Sequence, residues 1–241
     1  RVLCLMSILL SISWRKTNPP CEGFGPLRAI DEAPFGFPEI PFPADNTYSI
    51  ERWELGKKLF YDPVLSIDGS KSCSSCHLAA LAFADDKAFS PGVENRPGTR
   101  NAPALVNLAY HPYFLREGSI PTLEMQILVP IQEENELDHN IVDIAEELKT
   151  DAEYVRMSQA AYGREPDAFV ITRALATFER TLVSGNSPWD QAEFQNCNKA
   201  MDDSQIRGKA LFFSNKTNCS SCHNGLNFTN HAFENNGLYE D

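Results

Sequence analysis

Gly56-Lys57-Lys58-Leu59-Phe60-Tyr61 stands ahead of Cys73-Ser74-Ser75-Cys76-His77, and the same order returns as Gly208-Lys209-Ala210-Leu211-Phe212-Phe213 ahead of Cys219-Ser220-Ser221-Cys222-His223. One unit occurs twice. The gap from Phe60 to Cys73 is 13 residues and that from Phe212 to Cys219 is 7, so the copies differ by a six-residue loop insertion. Each copy predicts a helix followed by a cysteine turn, and the pair predicts two related domains. On a short helical turn the sulfurs at i and i+3 share a face. That suits covalent attachment of the two vinyl groups of a haem, with the adjacent His reaching the iron. A thioredoxin-like redox pair and a structural zinc site also use Cys-x-x-Cys. The first lacks a βαβ context, and the second leaves unexplained why a His follows each pair at once. The haem ligands are therefore read as Cys73, Cys76 and His77 for one group and Cys219, Cys222 and His223 for the other.

Outward from these motifs, the chain has 241 residues, 42% hydrophobic and 22% charged, enough to bury a sizeable core in one large or two small domains. Asp plus Glu number 33 against 21 for Lys plus Arg, a net charge of −12 that repels a phosphate backbone and argues against nucleic acid as a partner. Sixteen Pro and thirteen Gly point to long loops between short elements. Helical spacing of apolar residues appears over 48–61, with Ile50, Trp53, Leu55, Leu59 and Phe60, and again over 122–131, 141–150, 152–162, 166–184 and 204–213. In the fifth of these, Phe169, Ile171, Leu175, Phe178 and Leu182 form one core stripe. Pro166 suits a first helical turn, and Gly163 and Gly185 suit helix stops. With no strand pattern, the fold expected is all-α: two c-type cytochrome-like haem domains with long loops.

At the start, Arg1 and the apolar run Val2 to Ile12 have the length of a signal-peptide core and fall short of a membrane span. Residues 1–20 are read as an export segment, with a buried N-terminal helix as the alternative, and the compartment is expected to be the periplasm. Residues 21–47 form an extended lead-in rich in Pro and Gly, 48–186 the first haem domain and 187–241 the second. A lipid anchor at Cys21 stays open. With Cys4 leaving in the signal, Cys21 and Cys197 remain, either paired or as two buried thiols.

Further marks are Leu55-Gly56-x-x-Leu59-Phe60, Gly98-Thr99-Arg100-Asn101-Ala102-Pro103 with Asn107, Leu123-Glu124-x-Gln126, Pro130-Ile131, Arg173-Ala174-Leu175, Arg180-Thr181-Leu182-Val183-Ser184 and Ser187-Pro188-x-Asp190. With both haem motifs, they make the chain similar to the bacterial di-haem cytochrome c peroxidases and the related MauG proteins, from about Trp53 onward. The resemblance implies a peroxidatic haem on His77. It implies a second haem on His223 that takes electrons from a small cytochrome or cupredoxin. Gln126, Pro130 and Glu136 match the residues lining the open side of the first haem, which implies Glu136 as acid–base and Gln126 as the group that positions hydrogen peroxide. Without that register, Glu133 to Asp138 reads as a solvated acidic turn. Asn101 matches a ligand of a calcium ion between the domains.

Three positions depart from the pattern. Val93 stands where closed-resting relatives carry a distal His, which implies an open first haem. Arg116 stands where many relatives have a Trp between the haems, which leaves Tyr113, Phe114 or direct tunnelling for electron transfer. Relatives continue past the second motif to a Met or Tyr ligand, whereas this chain ends 18 residues after His223, so the second domain is expected to be incomplete. Met125, Met157 and Met201 are read as core rather than as substitute ligands, and His111 and His139 as surface or core histidines. Arg96, Arg100 and Lys71 are candidates for haem propionates. The function expected is a periplasmic peroxidase, with a MauG-like oxidase and a non-catalytic electron carrier as alternatives; a homodimer stays open.

Overall fold

A computed structural model of the chain describes residues 29–235. The expected export segment, Cys21 and the question of a lipid anchor lie outside the described residues. Among those described the architecture is all-α, with no strand and only isolated bridges such as Leu78–Ala84 and Phe114–Ile120. None of the helices is long and apolar enough to cross a membrane.

Helix α1 (Ile50–Tyr61) begins where the Ser49 hydroxyl accepts from the Arg52 N–H, and Glu51 in its first turn complements the helix dipole. It packs against α6 (Ala168–Arg180), capped in the same way by Asp167. Gly56 permits the approach, since a Cβ there would lie 1.9 Å from the Ala174 carbonyl oxygen. Leu55, Leu59 and Phe60 interlock with Ile171, Leu175 and Phe178, all buried, with the Phe60 and Phe178 rings 5.0 Å apart. Each such side chain contributes about 1.5–3 kcal/mol of burial. Helices α4 (Ile141–Lys149) and α5 (Ala152–Tyr162) close the core, with Gly163 in the left-handed conformation ending α5 as expected.

Three details differ from the sequence reading. The helix expected over 122–131 is broken into α2 (Leu123–Gln126) and α3 (Leu128–Gln132), hinged at Ile127. Pro130 has no N–H to give to the Gln126 carbonyl, so the ladder fails one turn earlier. Helix α6 ends at Arg180 rather than Ser184, and Asp167 rather than Pro166 marks its start. Gly185 serves instead to let the lead-in approach, since a Cβ there would lie 2.6 Å from Pro34 Cβ. A short α7 (Pro188–Glu193) forms through a Ser187–Asp190 capping box with Pro188 in its first turn.

Ile50 and Met125 are exposed, against expectation, because each sits on a solvent-facing side of its short element; Met157 packs on the core. In α8 (Asp203–Phe212), the repeat partner of α1, Gly208 meets open space. Around it Trp189 stacks on Phe213, and Phe228 fills the gap to Phe212. Cys197 is buried and disulfide-bonded to a partner outside the described residues.

Candidate functional site

Both cysteine motifs fold into the same turn. Cys73–Ser75 and Cys219–Ser221 each form one 3₁₀ turn. The N–H of His77 donates to Cys73 O at 3.0 Å, and that of His223 to Cys219 O at 3.0 Å. All four thiols are unbonded and thus available for thioether attachment.

The imidazoles are oriented alike. His77 Nδ1 lies 2.7 Å from the Phe83 carbonyl and His223 Nδ1 lies 3.1 Å from the Phe228 carbonyl. A carbonyl only accepts, so Nδ1 carries the hydrogen and Nε2 keeps its lone pair. Burial pulls the His77 pKa down, which favours the neutral form that ligates iron. The donor set therefore fits two c-type haems.

Both carbonyls are aimed by an unusual backbone. Phe83 has φ 57° and Phe228 has φ 53°, left-handed values that cost a bulky residue about 1–3 kcal/mol. Phe60 meets Phe83 edge-on at 5.9 Å, and Phe212 meets Phe228 edge-on at 5.8 Å. Sequence reasoning missed these two residues. The signal was present as Leu81-Ala82-Phe83 and Leu226-Asn227-Phe228, an extension of the repeat past the motifs.

Burial raises the thiols of Cys73 and Cys76, and the charge of Glu136, on the Glu133 to Asp138 turn, adds a smaller push in the same direction on both. The Glu179 charge also acts on Cys73. Glu136 is an exposed residue, yet the protein mass around its carboxyl, and then the Glu133 charge, raise it above the ordinary range. Its backbone is fixed from several sides. Val93 N–H donates to Glu136 O at 2.9 Å, Leu137 N–H to Pro130 O at 3.2 Å, and Arg96 pairs with Asp138 at 2.6 Å. Gln126, at the end of α2, is thus joined to Glu136 through α3 and the Pro130 carbonyl.

Val93 is wholly buried, so the loop at the distal-His position is closed onto the acidic turn. Gly92 makes that closure feasible, since a Cβ would lie 2.1 Å from Asn135 O and 2.6 Å from Glu136 O. Gly92→Ala is expected to destabilise the protein by about 1–3 kcal/mol and to displace Glu136. Thermal unfolding together with the pH profile of peroxide turnover checks both effects.

The other candidates are placed differently. Arg96 pairs with Asp138 and Arg100 with Glu117, and the Lys71 charge acts on Cys76. Asn101 is exposed and its Oδ1 accepts a hydrogen bond from Arg116. No group of three or more His, Cys, Asp or Glu able to hold a metal ion occurs among the described residues. His139 is a core histidine, its Nδ1 accepting from Asn140 N–H at 2.9 Å. Half-buried His111 meets His231 edge-on at 5.3 Å. Tyr113 stacks on Phe233 beyond the second motif, whereas Phe114 is core.

The family model described as di-haem cytochrome c peroxidase matches residues 50–198. The chain belongs to this family. Membership implies two c-type haems. The chain is 37% identical over 210 residues to the methylamine utilization protein MauG of Methylorubrum extorquens, covering 86% of this chain and 59% of that protein. It is 37% identical over 232 residues to the cytochrome-c peroxidase IdrP1 of Pseudomonas sp. strain SCT, covering 92% of this chain and 57% of that one. The chain thus spans a little under three-fifths of these relatives. Among solved structures, a MauG-like protein associated with microbial copper homeostasis superposes with TM-score 0.77 at 29% identity, over 87% of this chain and 65% of that one.

Proposed function

We propose that the chain binds its two haems through Cys73, Cys76 and His77 and through Cys219, Cys222 and His223, and that it reduces hydrogen peroxide to water at the first. The observation that carries this reading is Glu136: a carboxyl with a raised pKa on a pinned turn, its backbone carbonyl accepting from the N–H of buried Val93, the residue that stands where closed-resting relatives carry a distal His. A haem held by Cys73, Cys76 and His77 would supply the redox centre for cleavage of the O–O bond. The Glu136 carboxylate takes the proton from the near oxygen and returns it to the far oxygen, so that water departs. The Gln126 amide orients the peroxide. Two electrons and two further protons complete the conversion to two waters. A small cytochrome or cupredoxin whose basic face complements this acidic chain would supply the electrons, and Cys219, Cys222 and His223 would hold the haem that receives them. No role is given to calcium.

A second reading, oxidation of a residue on a partner protein, draws support from the identity to MauG. The ferric spectrum separates both from a carrier. The proposal expects a high-spin component and peroxide consumption with a reduced small cytochrome, whereas two low-spin haems in every redox state would mean electron transfer alone. Peroxide loss coupled to the added cytochrome marks the peroxidase, and loss only with a protein substrate marks the oxidase.

Proton abstraction needs Glu136 ionised, so kcat/KM for peroxide should rise with pH through an acid limb above the ordinary Glu value of 4.5. Because the Glu133 charge contributes to that elevation, Glu133→Gln should move the limb to lower pH.

A further inference from the structure

Gln126 ends a helix of four residues, far too short to hold itself. Thr122 caps it, Leu123 is buried in the core, and its one buried polar tie to α6 runs through Glu124. Glu124 and Arg180, both buried, form a two-pronged pair, with Nη1 to Oε1 at 2.6 Å and Nη2 to Oε2 at 2.9 Å. Asn46 of the lead-in, fully buried, donates to Glu124 Oε1 at 3.0 Å and to Arg173 O at 2.9 Å. Its own Oδ1 accepts from Tyr162 at 3.2 Å and lies 3.2 Å from the Thr177 hydroxyl, whose single hydrogen also has the Arg173 carbonyl at 2.9 Å. The turn from Glu124 to Gln126 is about 200° around the helix axis, so a carboxylate anchored on α6 sends the amide the opposite way. Burial alone would raise the Glu124 carboxyl, and the Arg180 and Asn46 contacts overcome it, leaving the group below its ordinary range.

We propose that Glu124, Arg180 and Asn46 are positioning residues for Gln126, a buried clamp that sets the rotation of α2 and thereby the angle at which the amide meets a ligand on the first haem. The inference rests on the role given to Gln126 above. The mechanism uses neither the ion pair nor Asn46, and the pair crosses from α2 to α6 rather than stapling one helix to itself.

Cyanide release from the haem-loaded ferric chain provides the test, assigned as the signal lost in His77→Gly. Gln126→Ala should speed release by about 10- to 100-fold, and the joint replacement Glu124→Met with Arg180→Leu, which removes both charges together, should do the same. Combining all three should be no faster than either, the signature of one shared pathway. Arg180→Lys, which keeps the charge and loses the fork, should show the same coupling should the joint replacement fail to accumulate. Multiplicative effects would overturn the clamp and leave the role of Gln126 intact. Unchanged release in Gln126→Ala would overturn both.

Discussion

Glu136→Gln is expected to slow peroxide turnover by about 10²- to 10⁴-fold, the range lost with a positioned acid–base group. The amide has nearly the shape of the carboxyl and cannot take the proton. The turn that holds the residue depends on backbone contacts from Glu136 and Leu137 and on the Arg96–Asp138 pair, none of which uses the Glu136 side chain. The variant should therefore fold, load haem and keep its ferric spectrum while losing rate. The acid limb of the pH profile should vanish with it. Stopped-flow measurement of peroxide consumption with a reduced donor reads both. A variant within threefold of the parent would remove Glu136 from the chemistry, whatever its location.

Glu124→Ala is expected to have the largest effect on stability, about 3–5 kcal/mol, because it leaves the Arg180 guanidinium buried without its partner. It also strips a hydrogen-bond partner from Asn46, which no water can easily replace at a wholly buried site. For a chain of this size each kcal/mol shifts the midpoint by about 2–4 °C, so a fall of roughly 6–20 °C should appear in thermal unfolding. The sign of the pH dependence follows from the lowered Glu124 carboxyl. Its contribution is present above the unfolded-state value and is lost as pH falls through the lower folded one, so the gap between parent and variant should narrow in acid. Neighbouring Glu179 behaves oppositely: burial, with Arg180 lowering and Glu124 raising, pushes its carboxyl up to about 8.

What could be read beforehand divides along physical lines. Thioether attachment imposes a fixed spacing within one turn, so both motifs and the repeat around them were legible. So were α1 and α6, whose buried stripes follow helical period. The break at Ile127 needed the missing N–H of Pro130 to be weighed against an unbroken apolar pattern. The proposed role of Glu136 rests on the family register, because residues alone read as a solvated acidic turn and Glu133, Glu134 and Glu136 are indeed exposed; the loop from Gly92 closing on the turn is visible only in the fold. The Phe83 and Phe228 carbonyls could not be read as single residues, since every residue has one; only their recurrence in both copies of the repeat marks them. Asn46 lies 78 residues from Glu124 and 131 from Thr177, and no local pattern announces contacts at that range. Met125 shows the opposite error, an apolar side chain assigned to the core that α2 turns to solvent while Leu123 and Glu124 beside it are buried.

The central claim, that this polypeptide carries two covalently bound haems, is tested most directly by acid–acetone extraction. The material is purified chain from a host competent in cytochrome maturation, and haem is counted per chain by its pyridine haemochrome. Two haems that stay with the polypeptide are the result expected. Haem that passes into the solvent, or a chain that carries none, would contradict the account.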